Sequence, residues 1–262
     1  MDKSRFDQLA QSVGLAHLAD QIYPLLQPCI RFHSQPADDK TLPVGASKIG
    51  GLPDLPPDVD IPQWHGKPLI FIAQFNLADV TAYDLEKALP LDGFLTFFYA
   101  ADNGHWDTSA VDRGGEQVLY FPTGTRLVRK ALQTPFAPCS LTFETEFTLP
   151  PMESPYIQSF WDDRQTEKLK LSREDGDRYW NLVKAVEVNT ARVHHQLLGH
   201  PDQMQGDLFY NLFGEWRLLL QIDTDDDAHM MWGDVGKIYF LIQPIALKQT
   251  DFSNIWFTLQ CT

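Results

Sequence analysis

The hydrophobic positions of this chain alternate with polar ones in several short segments, as they do in β-strands. Between Leu141 and Leu149, leucine and phenylalanine alternate with threonine and glutamate, so one face of this segment is predicted to lie in water. Short apolar runs predict further strands at residues 69–73, 94–99, 117–121, 216–222, 237–242 and 255–259. Strands therefore outnumber helices, and the short connections between them favour mostly antiparallel sheets.

Two segments have a helical period instead. Apolar residues recur at helical spacing over residues 6–18, which predicts an amphipathic helix at the N-terminus. The main helix is predicted to begin at Ser172, because Ser172 and Asp175 have the spacing of a capping box. Tyr179, Val183 and Val186 then share one helical face. Residues 24–68 are dense in proline and glycine, so this region is predicted to be extended and loop-like.

The two halves of the sequence resemble each other. A Gly-x-Pro-Asp motif begins at Gly51 and again at Gly199, and each copy is followed by an apolar strand that ends in a glutamine, Gln74 or Gln221. A turn, a glycine and an aromatic strand come next in both halves. These matches predict an internal duplication over approximately residues 50–100 and 198–243. The chain of 262 residues is then expected to form a single domain, 1–262.

The composition is that of a globular protein with an acidic surface. Hydrophobic residues make up 44% of the chain, and no apolar run reaches the roughly 18 residues of a membrane-spanning helix. Acidic residues number 35 against 21 basic ones, which gives a formal net charge of −14. Such a surface repels phosphate backbones and anionic lipids, so nucleic-acid and membrane partners are disfavoured and a basic protein is a better match.

Two features predict a cytoplasmic location. The first residues are charged and lead into an amphipathic segment, which is unlike a signal peptide. The three cysteines, Cys29, Cys139 and Cys261, are far apart in the sequence. This spacing indicates reduced thiols in a reducing compartment instead of a disulfide framework.

Several motifs resemble the YwqG-like family of bacterial proteins. The resemblance lies in Gly-Gly-Leu-Pro-Asp-Leu-Pro from Gly50, in the strands that end at Gln74 and Gln221, and in Met-Trp-Gly-Asp from Met231. It implies a β-rich, roll-like fold but no activity, because the family has no agreed catalytic residues. With the periodicity, it predicts an α+β, β-rich fold: mostly antiparallel sheets in a roll-like arrangement of two related halves, with an N-terminal helix and one central helix.

The acidic segment after the second glutamine strand is a candidate site for Ca²⁺ or Mg²⁺. Asp223, Asp225, Asp227 and Asp234 have the spacing of positions 1, 3, 5 and 12 in a calcium-binding loop. Ala228 replaces the glycine that such a loop requires, and strands instead of helices are predicted on both sides. A solvated acidic hairpin is therefore the alternative interpretation, and no other cofactor is expected.

Five residues are candidates for ligand binding. Gln74 and Gln221 end equivalent strands, where their amides either satisfy backbone groups of a loop or hold a ligand between the halves. Trp64, Trp232 and His200 lie in predicted loops. Side chains of this kind either stack on a small ligand or cover the edge of the core.

The sequence therefore predicts a non-catalytic binding module for a protein or a small ligand, with neutralisation of a basic partner as one form of it. The alternative is a metal-dependent hydrolase that uses residues 223–234 together with His195 or His200. The motifs Gly-x-Ser-x-Gly, His-Glu-x-x-His and the P-loop do not occur. An enzyme should gather polar side chains in one deep pocket, whereas a binder should present a broader surface.

Overall fold

An antiparallel sheet of ten strands dominates the structure, a computed structural model that describes residues 1–101, 113–158, 169–187, 193–209, 212 and 215–262. Along the chain the strands are β1 (Gln27–Pro36), β2 (Lys48–Ile49), β3 (Asp54–Leu55), β4 (Gln63–Trp64), β5 (Lys67–Pro68), β6 (Ile70–Asn76), β7 (Phe94–Tyr99), β8 (Glu116–Phe121), β9 (Val128–Arg129), β10 (Cys139–Thr148), β11 (Ile157–Gln158), β12 (Leu169–Lys170), β13 (His195–Leu197), β14 (Arg217–Asp223), β15 (Lys237–Ile242) and β16 (Ile255–Gln260). The large sheet has the order β16-β15-β14-β13-β1-β10-β2-β6-β7-β8. Its edge strands β16 and β8 approach each other, so the sheet is nearly closed into a barrel.

Helices make up a smaller part of the described chain. They are α1 (Lys3–Ser12), α2 (Ala19–Ile22), α3 (Leu77–Val80), α4 (Arg173–Val186) and α5 (Pro244–Lys248). The cap predicted for the central helix is confirmed, because the Ser172 hydroxyl accepts the backbone N–H of Asp175 at 3.1 Å at the start of α4. None of the helices described here is long and apolar enough to cross a bilayer.

The order of the strands is symmetric about the centre of the sheet. β1 and β10 pair in the middle, followed outwards by β13 to β16 on one side and by β2 and β6 to β8 on the other. β1 precedes β2 in sequence but pairs with β13, whereas β10 precedes β13 and pairs with β2. The two central strands are thus exchanged: β1 lies next to the strands of the C-terminal half, and β10 lies next to the strands of the N-terminal half.

The hairpins β6–β7 and β14–β15 each contain a β-bulge at a corresponding position, which the sequence analysis does not predict. The register of β6–β7 shifts between Phe71 and Ala73, and that of β14–β15 shifts between Leu218 and Leu220. Counted back from Gln74 and Gln221, the two bulges lie at the same positions. The two hairpins therefore have the same local geometry, and the duplication of the two halves stays a prediction.

The interior of the barrel is one hydrophobic core to which both halves contribute. Phe75 and Phe97 of the first half and Phe240 and Phe257 of the second are fully buried in it. The rings of Phe97 and Phe240, which correspond in the predicted duplication, meet edge to face at 5.3 Å. A second cluster lies outside the sheet, where α1 and α4 pack together. The observed fold is β-rich α+β, as the sequence predicts.

The predicted extended loop over residues 24–68 is wrong in its first part, because β1 lies there at the centre of the sheet. Polar residues interrupt the apolar pattern of this strand, so the pattern does not predict it. Arg31 is buried within β1, and its Nε atom donates to Oε2 of Glu146 on β10 at 2.8 Å. An ion pair of this kind allows a charged residue to occupy a core strand.

Two further expectations need correction. The polar face predicted for residues 141–149 is not wholly in water, because Glu146 and Thr148 are buried near the end of β10, where α4 packs. The N-terminal helix is shorter than the predicted 6–18, since α1 ends at Ser12 and Gly14 has a φ of 81°. This left-handed conformation favours glycine and stops the helix.

Candidate functional site

The two repeat glutamines are buried and hold loops in the same way. The Gln74 Oε1 atom accepts the backbone N–H of Asp54 at 2.9 Å, and its Nε2 donates to the Ala46 carbonyl at 2.8 Å. The Gln221 Oε1 atom accepts the backbone N–H of Asp202 at 2.9 Å, and its Nε2 donates to the His194 carbonyl at 2.7 Å. These contacts fit the structural interpretation of both amides.

Each glutamine fixes a loop whose aspartate pairs with a cation. The Asp54 carboxylate accepts from Arg129 Nε at 2.9 Å, and the Asp202 carboxylate accepts from Lys237. Burial by itself raises the pKa of Asp54, but the hydrogen bonds from Arg129 and from the Gly45 backbone lower it below its ordinary value. The Gly-x-Pro-Asp motifs therefore form two corresponding ion-paired corners.

The Asp225 carboxylate is occupied by bonds within the protein. Its Oδ1 atom accepts the backbone N–H groups of Asp227 and Ala228, and its Oδ2 accepts from Ser34 and His195. Burial alone raises the pKa of Asp225, yet the bonds from His195 and Ser34 hold it well below the ordinary value. Asp225 therefore closes the turn of the acidic loop.

The other predicted metal ligands point to different surroundings. The Asp223 Oδ2 atom accepts the backbone N–H of His194 at 2.9 Å, whereas Asp227 and Asp234 are exposed. Across the described ranges, no group of three or more His, Cys, Asp or Glu side chains is arranged to hold a metal ion. The structure thus gives the Ca²⁺ or Mg²⁺ site no support, and the solvated hairpin describes only the exposed Asp227 and Asp234, because Asp223 and Asp225 are buried.

His195 has no ring nitrogen left for proton transfer. Its Nδ1 atom accepts the backbone N–H of Asp223 at 3.0 Å, so the proton resides on Nε2, which donates to Asp225 at 2.9 Å. The ring also stacks on Phe32 with a centroid distance of 5.3 Å. This environment fixes the orientation of the ring in the core, which is a structural role.

The two predicted tryptophans lie away from the cavities described below. Trp232 is buried, and its indole N–H donates to the Asp223 carbonyl at 3.1 Å while its ring packs against Tyr99 and Phe136. Trp64 is half-buried on the short hairpin β4–β5, where its ring packs against His65. Both cover parts of the hydrophobic core.

His200 does line a cavity, which has a volume of about 500 Å³. We call it the aromatic cavity, because the side chains that form its wall are mainly aromatic rings and prolines: Tyr156, His200, Phe209, Trp216, Pro155, Pro201 and Pro244. Among the described residues, Glu215 and Arg217 are the charged ones on this wall. The wall joins residues from the segment before β11, the second Gly-x-Pro-Asp loop and the start of β14.

The imidazole of His200 is held neutral in the cavity wall. Its Nε2–H donates to the Leu25 carbonyl at 2.8 Å, and its backbone N–H donates to Thr148 Oγ1 at 2.8 Å. Burial lowers its pKa to about 4. The Tyr156 ring packs edge to face against it at 5.5 Å. His200 therefore offers a rigid apolar face near neutral pH.

A second cavity of about 400 Å³ adjoins the first, since Arg217 and Pro244 line both. We call it the basic groove, because the charged residues on its wall, within the described part of the chain, are Lys87, Arg217, Lys248 and a single carboxylate, Glu86. Arg217 Nη2 donates to Glu86 Oε2 at 2.5 Å. Its Nε atom is buried and has no hydrogen-bond partner among the described residues.

Sequence reasoning identified one residue of this pair of cavities, His200, and missed Tyr156, Trp216 and Arg217. Trp216 and Arg217 stand at the start of a predicted strand, where an aromatic residue beside a cation was a usable signal. Tyr156 follows a proline-rich turn and carried none. Tertiary folding alone brings these separate segments to one wall.

Comparisons with known proteins place the chain within one family. A family model described as a domain of unknown function (DUF1963) matches residues 47–261, which is most of the chain. No curated protein matches the sequence.

Proposed function

We propose that this chain, which belongs to the DUF1963 family of unknown function, is a binding protein that takes a small organic ligand into the aromatic cavity. Within that family we propose the finer YwqG-like assignment on the motifs quoted above. The observation that carries the binding function is the cavity itself. Its volume of about 500 Å³ lies within the range of pockets for small organic molecules, roughly 300–1,000 Å³.

The chemistry of the wall supports a ligand with a flat apolar body. Tyr156 and Trp216 supply ring faces, and the prolines add rigid apolar surface. The neutral imidazole of His200 donates its Nε2–H to the backbone carbonyl of Leu25. Rigid aromatic walls of this type bind by stacking and lose little conformational entropy when a ligand enters.

The hydrolase alternative has less support in the same geometry. It relies on residues 223–234 with His195 or His200, but both nitrogens of His195 and both oxygens of Asp225 are engaged in the core. His200 lies in the cavity wall with burial favouring its neutral form. A basic protein partner, expected from the net charge of −14, stays a prediction alongside the small ligand.

Fluorescence titration with a neutral aromatic probe, phenylnaphthylamine, tests the proposal. The wild-type protein should bind the probe with saturable fluorescence enhancement. Trp216→Ala should weaken binding about tenfold, because a stacked ring contributes roughly 0.5–1.5 kcal/mol in addition to the apolar area that it buries. Binding that is absent in the wild-type protein, or unchanged in the variant, would refute ligand binding at this cavity.

A matched control is available on α4. Trp180 is 53% exposed and lines neither cavity, so Trp180→Ala should leave the affinity within twofold of wild type. Tyr156→Ala provides a second test in the wall, because Tyr156 is 42% exposed and its truncation endangers the fold less than loss of a core residue. Circular dichroism of each variant confirms that the comparison is between folded proteins.

A further inference from the structure

We infer that the ligand is an aromatic or alicyclic anion, whose ring lies in the aromatic cavity and whose carboxylate, sulfonate or phosphate group lies in the basic groove on Arg217. This inference rests on the proposed binding function and adds the chemical class of the ligand. It starts from the fact that the two cavities are neighbours, since Arg217 and Pro244 belong to both walls.

The basic groove has a net positive charge, whereas the whole chain has a net negative charge. Lys87, Arg217 and Lys248 carry positive charge there, and Glu86 is the one carboxylate on the described wall. The protein as a whole has a net charge of −14. A local excess of cations on an acidic protein concentrates anions at that place and repels them from most of the remaining surface.

Arg217 lies at the junction of the two cavities, and its side chain is 24% exposed there. One terminal nitrogen is bonded to Glu86, which fixes the guanidinium in place. A charge-assisted bond from the exposed part of the guanidinium to an anionic oxygen is about twice as strong as a bond between neutral groups. The planar guanidinium matches the geometry of carboxylate and phosphate oxygens, and a sulfonate presents anionic oxygens of the same kind.

The orientation of the ligand follows from Glu215. This carboxylate lines the aromatic cavity and not the basic groove, so it disfavours an anionic group inside the aromatic cavity. The ring end of the ligand therefore faces Tyr156 and Trp216, and the anionic end faces Lys248 and Arg217. A neutral molecule of the same shape keeps the stacking contacts in the aromatic cavity but lacks the charge interaction with the basic groove.

Two fluorescent probes of similar shape test the inference: the neutral phenylnaphthylamine and the anionic anilinonaphthalene sulfonate. Wild-type protein should bind the sulfonate more tightly, and added salt should weaken the sulfonate alone. Arg217→Gln should weaken the sulfonate about tenfold and leave the neutral probe within twofold. Arg178→Gln, which changes a half-exposed arginine on α4, is the matched control and should alter neither affinity.

Each outcome decides one of the two proposals. If both probes bind and Trp216→Ala weakens them while Arg217→Gln changes neither, the cavity binds ligands but the anionic class is wrong. If the wild-type protein binds neither probe, the proposed function fails. Should Arg217→Gln not fold, the double variant Lys87→Gln and Lys248→Gln replaces it, since both lysines are exposed. A loss of at least threefold for the sulfonate supports the inference, and unchanged binding overturns it.

Discussion

At the scale of single residues, His200 connects the cavity to the stability of the fold. Its pKa is lowered by burial from 6.5 to about 4. Between these two pH values the unfolded chain binds a proton at this side chain and the folded chain does not. The free energy of unfolding therefore falls as the pH falls through this window, by about 3 kcal/mol in total.

Urea unfolding measured at pH values from 7 to 4 checks this expectation. His200→Gln removes the titrating group, keeps an amide donor for the Leu25 carbonyl, and should flatten the pH dependence. His229→Asn, at an exposed histidine with a φ of 56°, should retain the wild-type dependence. An identical slope in wild type and His200→Gln would show that other groups govern acid stability.

The residues of the site show where sequence reasoning succeeds and where it ends. The prediction that Gln74 and Gln221 end their strands is wrong by two residues, because β6 continues to Asn76 and β14 to Asp223. The expectation that both amides satisfy loop backbone groups agrees with the hydrogen bonds in the structure. Arg217 was not identified, since its role depends on Glu86 and Lys248, which lie far from it in the sequence. The pattern of residues along the sequence does not show which distant residues lie close together in the folded protein.

At the scale of elements, α4 offers a separate test because its start depends on one side chain. The Ser172 hydroxyl accepts the Asp175 N–H and donates to the Asp175 carboxylate at 2.6 Å. Ser172→Ala should lower the free energy of unfolding by about 1 kcal/mol, since a helical N–H loses its partner. Thermal unfolding measures the change, and Ser172→Thr, which keeps the hydroxyl, should stay near wild type. Equal losses in both variants would point to packing instead of capping.

Periodicity predicts some of the strands well and fails for others. The apolar runs at 94–99 and 237–242 match β7 and β15 in both bounds, because these strands are buried almost throughout. β1 escaped prediction, since Arg31 interrupts its apolar residues and its partner Glu146 comes from a distant strand. Short strands such as β2 contain too few residues to create a pattern.

At the scale of the whole molecule, strand pairing and core packing join the two halves of the described chain. β1 pairs with β10 and β13, and both halves fill the same barrel interior. We expect unfolding in urea to be a single cooperative transition, with tryptophan fluorescence and far-ultraviolet circular dichroism coincident. Two separated transitions would mean that the halves are independent domains, contrary to the single domain predicted over 1–262.

The fold class was accessible from the sequence, and the strand order was not. Alternation and turns indicate antiparallel strands wherever they occur. Which strand lies beside which depends on contacts between distant segments, and the exchange of β1 and β10 has no local signature.

The position of β1 has a consequence for synthesis on the ribosome. Gln27 lies opposite Thr148, which is translated 121 residues later, and Phe32 must wait still longer for His195. Until those segments emerge, both edges of β1 are open to improper pairing, and native contacts so distant in sequence slow folding. The nascent chain is therefore expected to need protection by chaperones until its second half has been made.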